Sequence, residues 1–148
     1  MAVYRVLIAD GDGAFRDLLA QALTIDDCQV EVVERGEEVV RRVAIGGVDV
    51  LVSEVYLPDL PAWDLISKVH QIDHDLPVIV VTADDSWETA RKVRTEGGAI
   101  FFYGLKPLNL REMKQVVGYA ARWRQRRVQE MDHAGRPARR PGAHFVRG

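Results

Sequence analysis

Short apolar runs alternate along the chain with longer stretches whose apolar residues recur every three or four positions. Val6–Ala9, Val48–Val52, Val78–Val81 and Ala99–Tyr103 are mainly apolar, and Val30–Val33 alternates apolar with polar. Runs that are apolar on both faces suit strands of a parallel sheet covered by helices on each side. Between them lie helical stripes: Phe15, Leu18, Leu19, Ala22 and Leu23; Val39, Val40 and Val43; Leu65, Ile66 and Val69; Ala90 and Val93; and Met113, Val116, Val117 and Ala120. Punctuation agrees with this reading. Gly46-Gly47 and Gly97-Gly98 can end helices, Asp85 or Ser86 can cap the fourth, and Asn109 with Glu112 forms a capping box for the fifth. The pattern predicts a (βα)₅ α/β fold over roughly residues 3–128, a doubly wound five-stranded parallel sheet with right-handed crossovers.

The end of the chain breaks the pattern. From Arg122 it turns basic, and Gly135, Pro137, Pro141 and Gly142 oppose helix beyond about Asp132. The expected organisation is one domain over 1–128 and a basic, disordered tail over 129–148. A length of 148 residues suits a single domain with a full core. The net charge of -2 exerts no global pull on nucleic acid or anionic membrane. Cys28, the one cysteine, cannot form an internal disulfide and reads as a small hydrophobe at a strand start, which suits a reducing compartment. The N-terminus shows no signal-peptide pattern, and no apolar run approaches the ~18 residues of a membrane span. A cytoplasmic location is the expectation. His70, His74, His133 and His144 are scattered and read as surface residues rather than metal ligands.

In an open α/β sheet, ligands bind beyond the carboxyl ends of the strands. Strand one ends at Asp10, followed by Gly11 and Asp12; strand three ends at Ser53-Glu54; strand four ends at Thr82-Ala83; strand five is followed by Lys106-Pro107. Each residue alone reads as a turn former or cap. Together they bring three carboxylates, a hydroxyl and an ammonium to one edge.

Four segments carry a resemblance: Val6-Leu7-Ile8-Ala9-Asp10, Asp49 to Pro58 around Glu54, Leu76-Pro77 to Thr82-Ala83, and Tyr103-Gly104-Leu105-Lys106-Pro107. Their order and spacing resemble the response regulator receiver domain, a flavodoxin-like fold, over about five-sixths of the chain. The resemblance implies an acidic pair after strand one that binds Mg²⁺ and an Asp after strand three that accepts a phosphoryl group. It further implies a Thr hydroxyl and a Lys that grip the phosphoryl oxygens, and an aromatic on strand five that turns inward on activation. The matching positions are Asp10, Glu54, Thr82, Lys106 and Tyr103.

The chain departs from that pattern in three places. Glu54 stands where the family has Asp, Gly11 stands where it has a second acid, with Asp12 one residue later, and Pro61-Ala62 replaces its Asp-Gly. The Thr82-to-Lys106 spacing is also slightly long. A carboxylate displaced by about 1 Å can lose about 100-fold in an in-line attack. The expectation is therefore an atypical receiver, not an enzyme, that signals through protein contacts in two-component transduction. Its partner would be a kinase or output protein, met on the helix 4–strand 5–helix 5 face, where a homodimer is also compatible. No cofactor is expected beyond weakly held Mg²⁺ on Asp10, Asp12 and Glu54. Two alternatives stand beside it: a working Mg²⁺-dependent phospho-receiver, and nucleic-acid binding through the basic C-terminus. Trp63 and Trp87 either rim the site or, as the first reading, cover core edges; an exposed Trp would be a candidate partner anchor.

Overall fold

A computed structural model describes residues 3–24, 28–134 and 144–145. The elements run β1 (Tyr4–Ala9), α1 (Gly13–Leu23), β2 (Cys28–Val33), α2 (Gly36–Ile45), β3 (Val50–Glu54), α3 (Ala62–Ile72), β4 (Val78–Thr82), α4 (Trp87–Lys92), β5 (Phe102–Leu105), α5 (Leu110–Ala134) and β6 (His144–Phe145). The strands are parallel, in the order β2-β1-β3-β4-β5-β6. The order reverses between β1 and β3, which opens a crevice at their carboxyl ends.

Alternation along each strand divides the core into two layers. Leu7, Ala9, Leu51, Val78, Val80 and Tyr103 point to the side of α2, α3 and α4, where Val39, Val43, Leu65, Ile66, Val69 and Val93 meet them. Val6, Ile8, Val50, Val52, Ile79, Val81 and Phe102 point to the opposite side, against Leu19 and Leu23 of α1 and Met113, Val117, Ala120 and Ala121 of α5. β3 and β4 are buried along their whole length, while β2 is only partly covered. That difference explains why β3 and β4 read as near-continuous apolar runs and β2 as an alternating one.

Local chemistry sets the ends. Asp12 caps α1 through Phe15 N–H, Ser86 caps α4 through Thr89 N–H, and Asn109 accepts from Glu112 N–H at the start of α5. α2 is capped from outside. The Asp59 carboxylate, 23 residues away, accepts from Gly36 N–H at 2.7 Å and Glu37 N–H at 2.9 Å. The same loop places Leu60 so close to Gly36 that a Cβ there would sit 2.3 Å from Leu60 Cδ2.

β5 starts at Phe102, three residues later than the apolar run suggests. α4 runs directly into a π-helical turn, Val93–Gly97, which closes on i→i+5 hydrogen bonds and so takes up more chain than an α-turn. Gly98, at φ 95°, then reverses the backbone. This turn accounts for part of the long Thr82-to-Lys106 spacing. At the far end, α5 overruns the sheet but stays attached to it. Trp123 is buried against Phe101, Arg124 makes a bidentate pair with Asp73, and Arg127 pairs with Asp75 at 3.2 Å. The helix reaches Ala134, and β6 adds two residues to the edge of β5. The rest of the expected tail, 135–143 and 146–148, lies outside the described residues.

Candidate functional site

The carboxyl ends of β1, β3, β4 and β5 open on a cleft of about 390 Å³ lined by Asp10, Asp12, Glu54, Tyr56, Thr82, Asp84 and Lys106, among others. Its floor is an ion triad. Lys106 Nζ lies 2.8 Å from Asp10 Oδ2 and 2.8 Å from Glu54 Oε2. The other oxygen of each acid is also occupied: Asp12 N–H donates to Asp10 Oδ1 at 2.8 Å, and Val55 N–H donates to Glu54 Oε1 at 2.9 Å. The Phe15 ring covers the ammonium, with its centroid 4.1 Å from Nζ. Lys106 is thus fixed between two carboxylates and an aromatic face. Burial works against its charge, but the hydrogen bonds to Asp10 and Glu54 outweigh burial and hold its pKa above the ordinary lysine value. Its backbone N–H donates to Thr82 O at 2.8 Å, which keeps the start of the β5–α5 loop against β4.

A second network, built of hydroxyls around Asp84, closes one wall. Asp84 accepts from Thr89 Oγ1 at 2.6 Å, Tyr56 OH at 2.9 Å and Ser86 N–H at 2.9 Å, and its own N–H donates to Thr82 Oγ1 at 3.1 Å. The Thr89 bond, followed by those from Ser86 and Tyr56, holds the Asp84 carboxyl well below the usual carboxylate range. This network ties the β3–α3 loop to α4. Tyr56 also stands edge-on to Trp63, 6.2 Å between ring centroids. Tyr103 lies beneath, 6% exposed and packed in the core under α4. Burial first, then the charge of Asp84 and the neighbouring Tyr56 and Glu54, pushes its phenol up to about 12.

The structure therefore brings Asp10, Glu54 and Lys106 into contact, with Thr82 in the same cleft and Tyr103 inside the core. Thr82 turns its hydroxyl to Asp84 rather than to Glu54. Of the expected metal set, Asp10 and Glu54 meet at Lys106, and Asp12 stands at the start of α1. Among the described residues no group of three His, Cys, Asp or Glu side chains is placed to hold a metal ion. Asp12 spends its carboxylate on the α1 cap, and the Lys106 ammonium already lies between the other two acids. Mg²⁺ requires near-octahedral oxygen ligands at about 2.0–2.1 Å, so these residues as arranged do not fit it. Of the two readings of Trp87, the structure selects the exposed one: it is 73% exposed and covers no core edge. Tyr56, Asp84, Ser86 and Thr89 were missed by the sequence reading. Tyr56 and Asp84 each lie two residues past a strand end, so extending the strand-end rule by two positions finds them.

Comparison with known proteins agrees with this geometry. The response regulator receiver domain family matches residues 6–118. The chain is similar to the DNA-binding transcriptional regulator NtrC of Rhizobium meliloti (strain 1021), 32% identical over 127 residues, covering 86% of this chain and 26% of that protein. It thus spans about a quarter of the length of that curated relative. Among solved structures, it resembles the signal receiver domain of an HD domain-containing protein from Pseudomonas fluorescens Pf-5, with TM-score 0.80, 20% identity and coverage of 87% and 94% of the two chains. It also resembles the beryllofluoride-activated NtrC4 receiver domain dimer, with TM-score 0.73, 22% identity and coverage of 81% and 98%. Among the described residues, no helix is long and apolar enough to cross a membrane. The strand order, the acid–lysine cleft at the strand ends and the family match over most of the chain make it a member of the response regulator receiver domain family of two-component signalling.

Proposed function

We propose that this domain is an atypical receiver that signals by protein–protein binding without being phosphorylated, with Glu54 permanently filling the phosphoacceptor's place. The observation that carries the reading is the Glu54–Lys106 contact at 2.8 Å. A phosphoacceptor needs a free carboxylate oxygen aligned on the donor. Here one oxygen of Glu54 is held by Lys106 and the other by its neighbour's N–H. Each of the other two site groups is also engaged: Asp10 by Lys106, and the Thr82 hydroxyl by Asp84 N–H. The cleft beyond them is rimmed by Asp12 and Asp84, a charge that opposes an anionic phosphodonor. The buried position of Tyr103 supports an active-like state, because the family resemblance associates an inward aromatic with activation. Partners are expected on the face formed by α4, β5 and α5. The NtrC4 receiver is a dimer in its activated form, and a homodimer through that face is the alternative arrangement.

The test is incubation with acetyl phosphate and Mg²⁺, read by intact mass. Wild type is expected to take up no phosphate. Gly11 has room for a side chain, since a Cβ there would meet only Pro58 carbons at 3.6 and 3.7 Å, ordinary contact distances. The double variant Gly11→Asp/Glu54→Asp, which restores the family's acids, is expected to gain a phosphoryl group. Stoichiometric, alkali-labile phosphate on the wild type would overturn the reading and favour a working phospho-receiver.

A further inference from the structure

The two edges of the sheet differ. At the β5 edge, His144–Phe145 pair with Phe102–Tyr103. At the other edge β2 pairs with β1, and no described strand lies outside it. An open edge presents unpaired backbone N–H and C=O groups, and proteins ordinarily blunt it with Pro, Lys, a bulge or a very short strand. β2 has none of these. It runs six residues, Cys28–Val33, and matches β1 residue for residue from Tyr4↔Cys28 to Ala9↔Val33. Its one charged side chain is turned away, since the Glu31 carboxylate is held by Arg42 of α2 at 2.6 and 3.0 Å. Val32 is 42% exposed.

One bond fixes which groups face outward. Val33 O accepts from Asp10 N–H at 3.2 Å, so Val33 turns its backbone groups toward β1. Alternation gives Gln29 and Glu31 the same direction and aims the backbone groups of Val30 and Val32 outward. We infer that β2 pairs antiparallel with β2 of a second copy of this chain, about a two-fold axis that passes through Val30 perpendicular to the sheet, so that two sheets become one. In that register Val30 faces Val30 and Val32 faces Cys28, which gathers apolar side chains on the face that α1 covers. Gln29 faces Glu31, an amide donor against a carboxylate. An axis through Glu31 would instead set two like charges directly opposite, which is destabilising. α1 lies over β1 and β2. The two α1 helices would then stand two strand spacings apart, about 9.6 Å, within the ordinary range for packed helices. An extended peptide from another protein could also add to this edge, but the order of residues is self-complementary, as a two-fold contact requires, and this favours a second copy. The contact uses no residue of the acid–lysine cleft, so it stands whether or not Glu54 accepts phosphate.

The test is sedimentation of the full chain over about 1 μM–1 mM, where a monomer–dimer equilibrium is expected. Val32→Pro removes an N–H that β1 does not use, so the β1–β2 ladder keeps its bonds while dimerisation should weaken at least about tenfold. Val32→Lys should act in the same way without constraining the backbone, and thermal melts of both variants check the fold. Trp87→Ala, an exposed change on α4, should alter dimerisation by less than about twofold. Cross-linking reads the register. Val32→Cys sets a thiol opposite Cys28 of the second copy at a Cα separation of about 5.5 Å, inside the disulfide range of about 4.4–6.8 Å. Within one chain the two positions lie about 13 Å apart along the strand, too far to bridge. Mild oxidation of Val32→Cys should therefore give a covalent dimer, and adding Cys28→Ala should abolish it. A monomer at every concentration would overturn the inference. So would a dimer weakened by Trp87→Ala but not by the two Val32 variants, or the absence of the cross-link.

Discussion

Replacing Lys106 by Met tests the ion triad most directly. The side chain of Lys106 is 14% exposed, and those of Asp10 and Glu54 are 3% and 11% exposed. Methionine keeps much of the stem that packs near Phe15 but leaves two buried carboxylates facing each other without a cation. Breaking a buried ion pair by removing one partner costs about 3–5 kcal/mol. With a urea slope of about 2 kcal/mol/M, the unfolding midpoint should fall by about 1.5–2.5 M at neutral pH. The loss should also acquire a pH dependence. In the wild type, Lys106 is held above its ordinary value, so its contribution is intact below about pH 10.4 and is lost only as pH rises through the raised value. In the variant, burial and mutual repulsion raise the carboxyl values, so the folded state gains protons as pH falls and recovers stability towards about pH 5. The triple variant Asp10→Asn/Glu54→Gln/Lys106→Met removes every charge and should regain much of the loss. Urea melts at about pH 5 and pH 8 decide the matter. A midpoint shift below about 0.5 M, or one equal at both pH values, would refute the triad as described.

Two further outcomes are expected. Gly36→Ala should destabilise by about 1–3 kcal/mol in thermal or urea melts, because its Cβ would sit 2.3 Å from Leu60 Cδ2 and 2.8 Å from Leu60 Cγ. Absorbance titration should show one tyrosine ionising near pH 12, and Tyr103→Phe should abolish that late phase. Because the folded-state value is raised, the wild type should lose stability as pH climbs from about 10 to about 12, and Tyr103→Phe should lose less of it over that interval.

What could be read from the sequence follows from how locally each feature is encoded. β3 and β4 are sandwiched between helix layers, so Val50–Val52 and Val78–Val81 must be apolar on both faces and announce themselves. Asp10, Glu54, Thr82 and Lys106 were found because parallel strands put their carboxyl ends at one edge, so position along the chain predicts position in space. The features that escaped depend on pairings between distant residues. Asp59 caps a helix 23 residues earlier, and Tyr56 meets Asp84 across 28 residues, neither with any periodic trace. Asp12 is ambiguous for a different reason. Asp12 has the composition of a ligand, but as the residue before α1 it also has the composition of a cap, and the backbone N–H of Phe15 claims it. The start of β5 was placed early because Ile100 is apolar for its place in the core, whereas the ladder with β4 begins only at Phe102.

α5 has 25 residues and is therefore about 37 Å long. Its first half is pinned to the sheet through Met113 and Val117. Its later turns are pinned through Arg124 and Arg127 to the loop between α3 and β4. A rod clamped at two separated points cannot swivel; it can only tilt as its clamps move apart. A displacement of Asp73 or Asp75 by a bound partner would therefore reappear, enlarged by leverage, at the distal end of the helix. The helix would behave as a pointer whose direction is set at the face opposite the acid–lysine cleft.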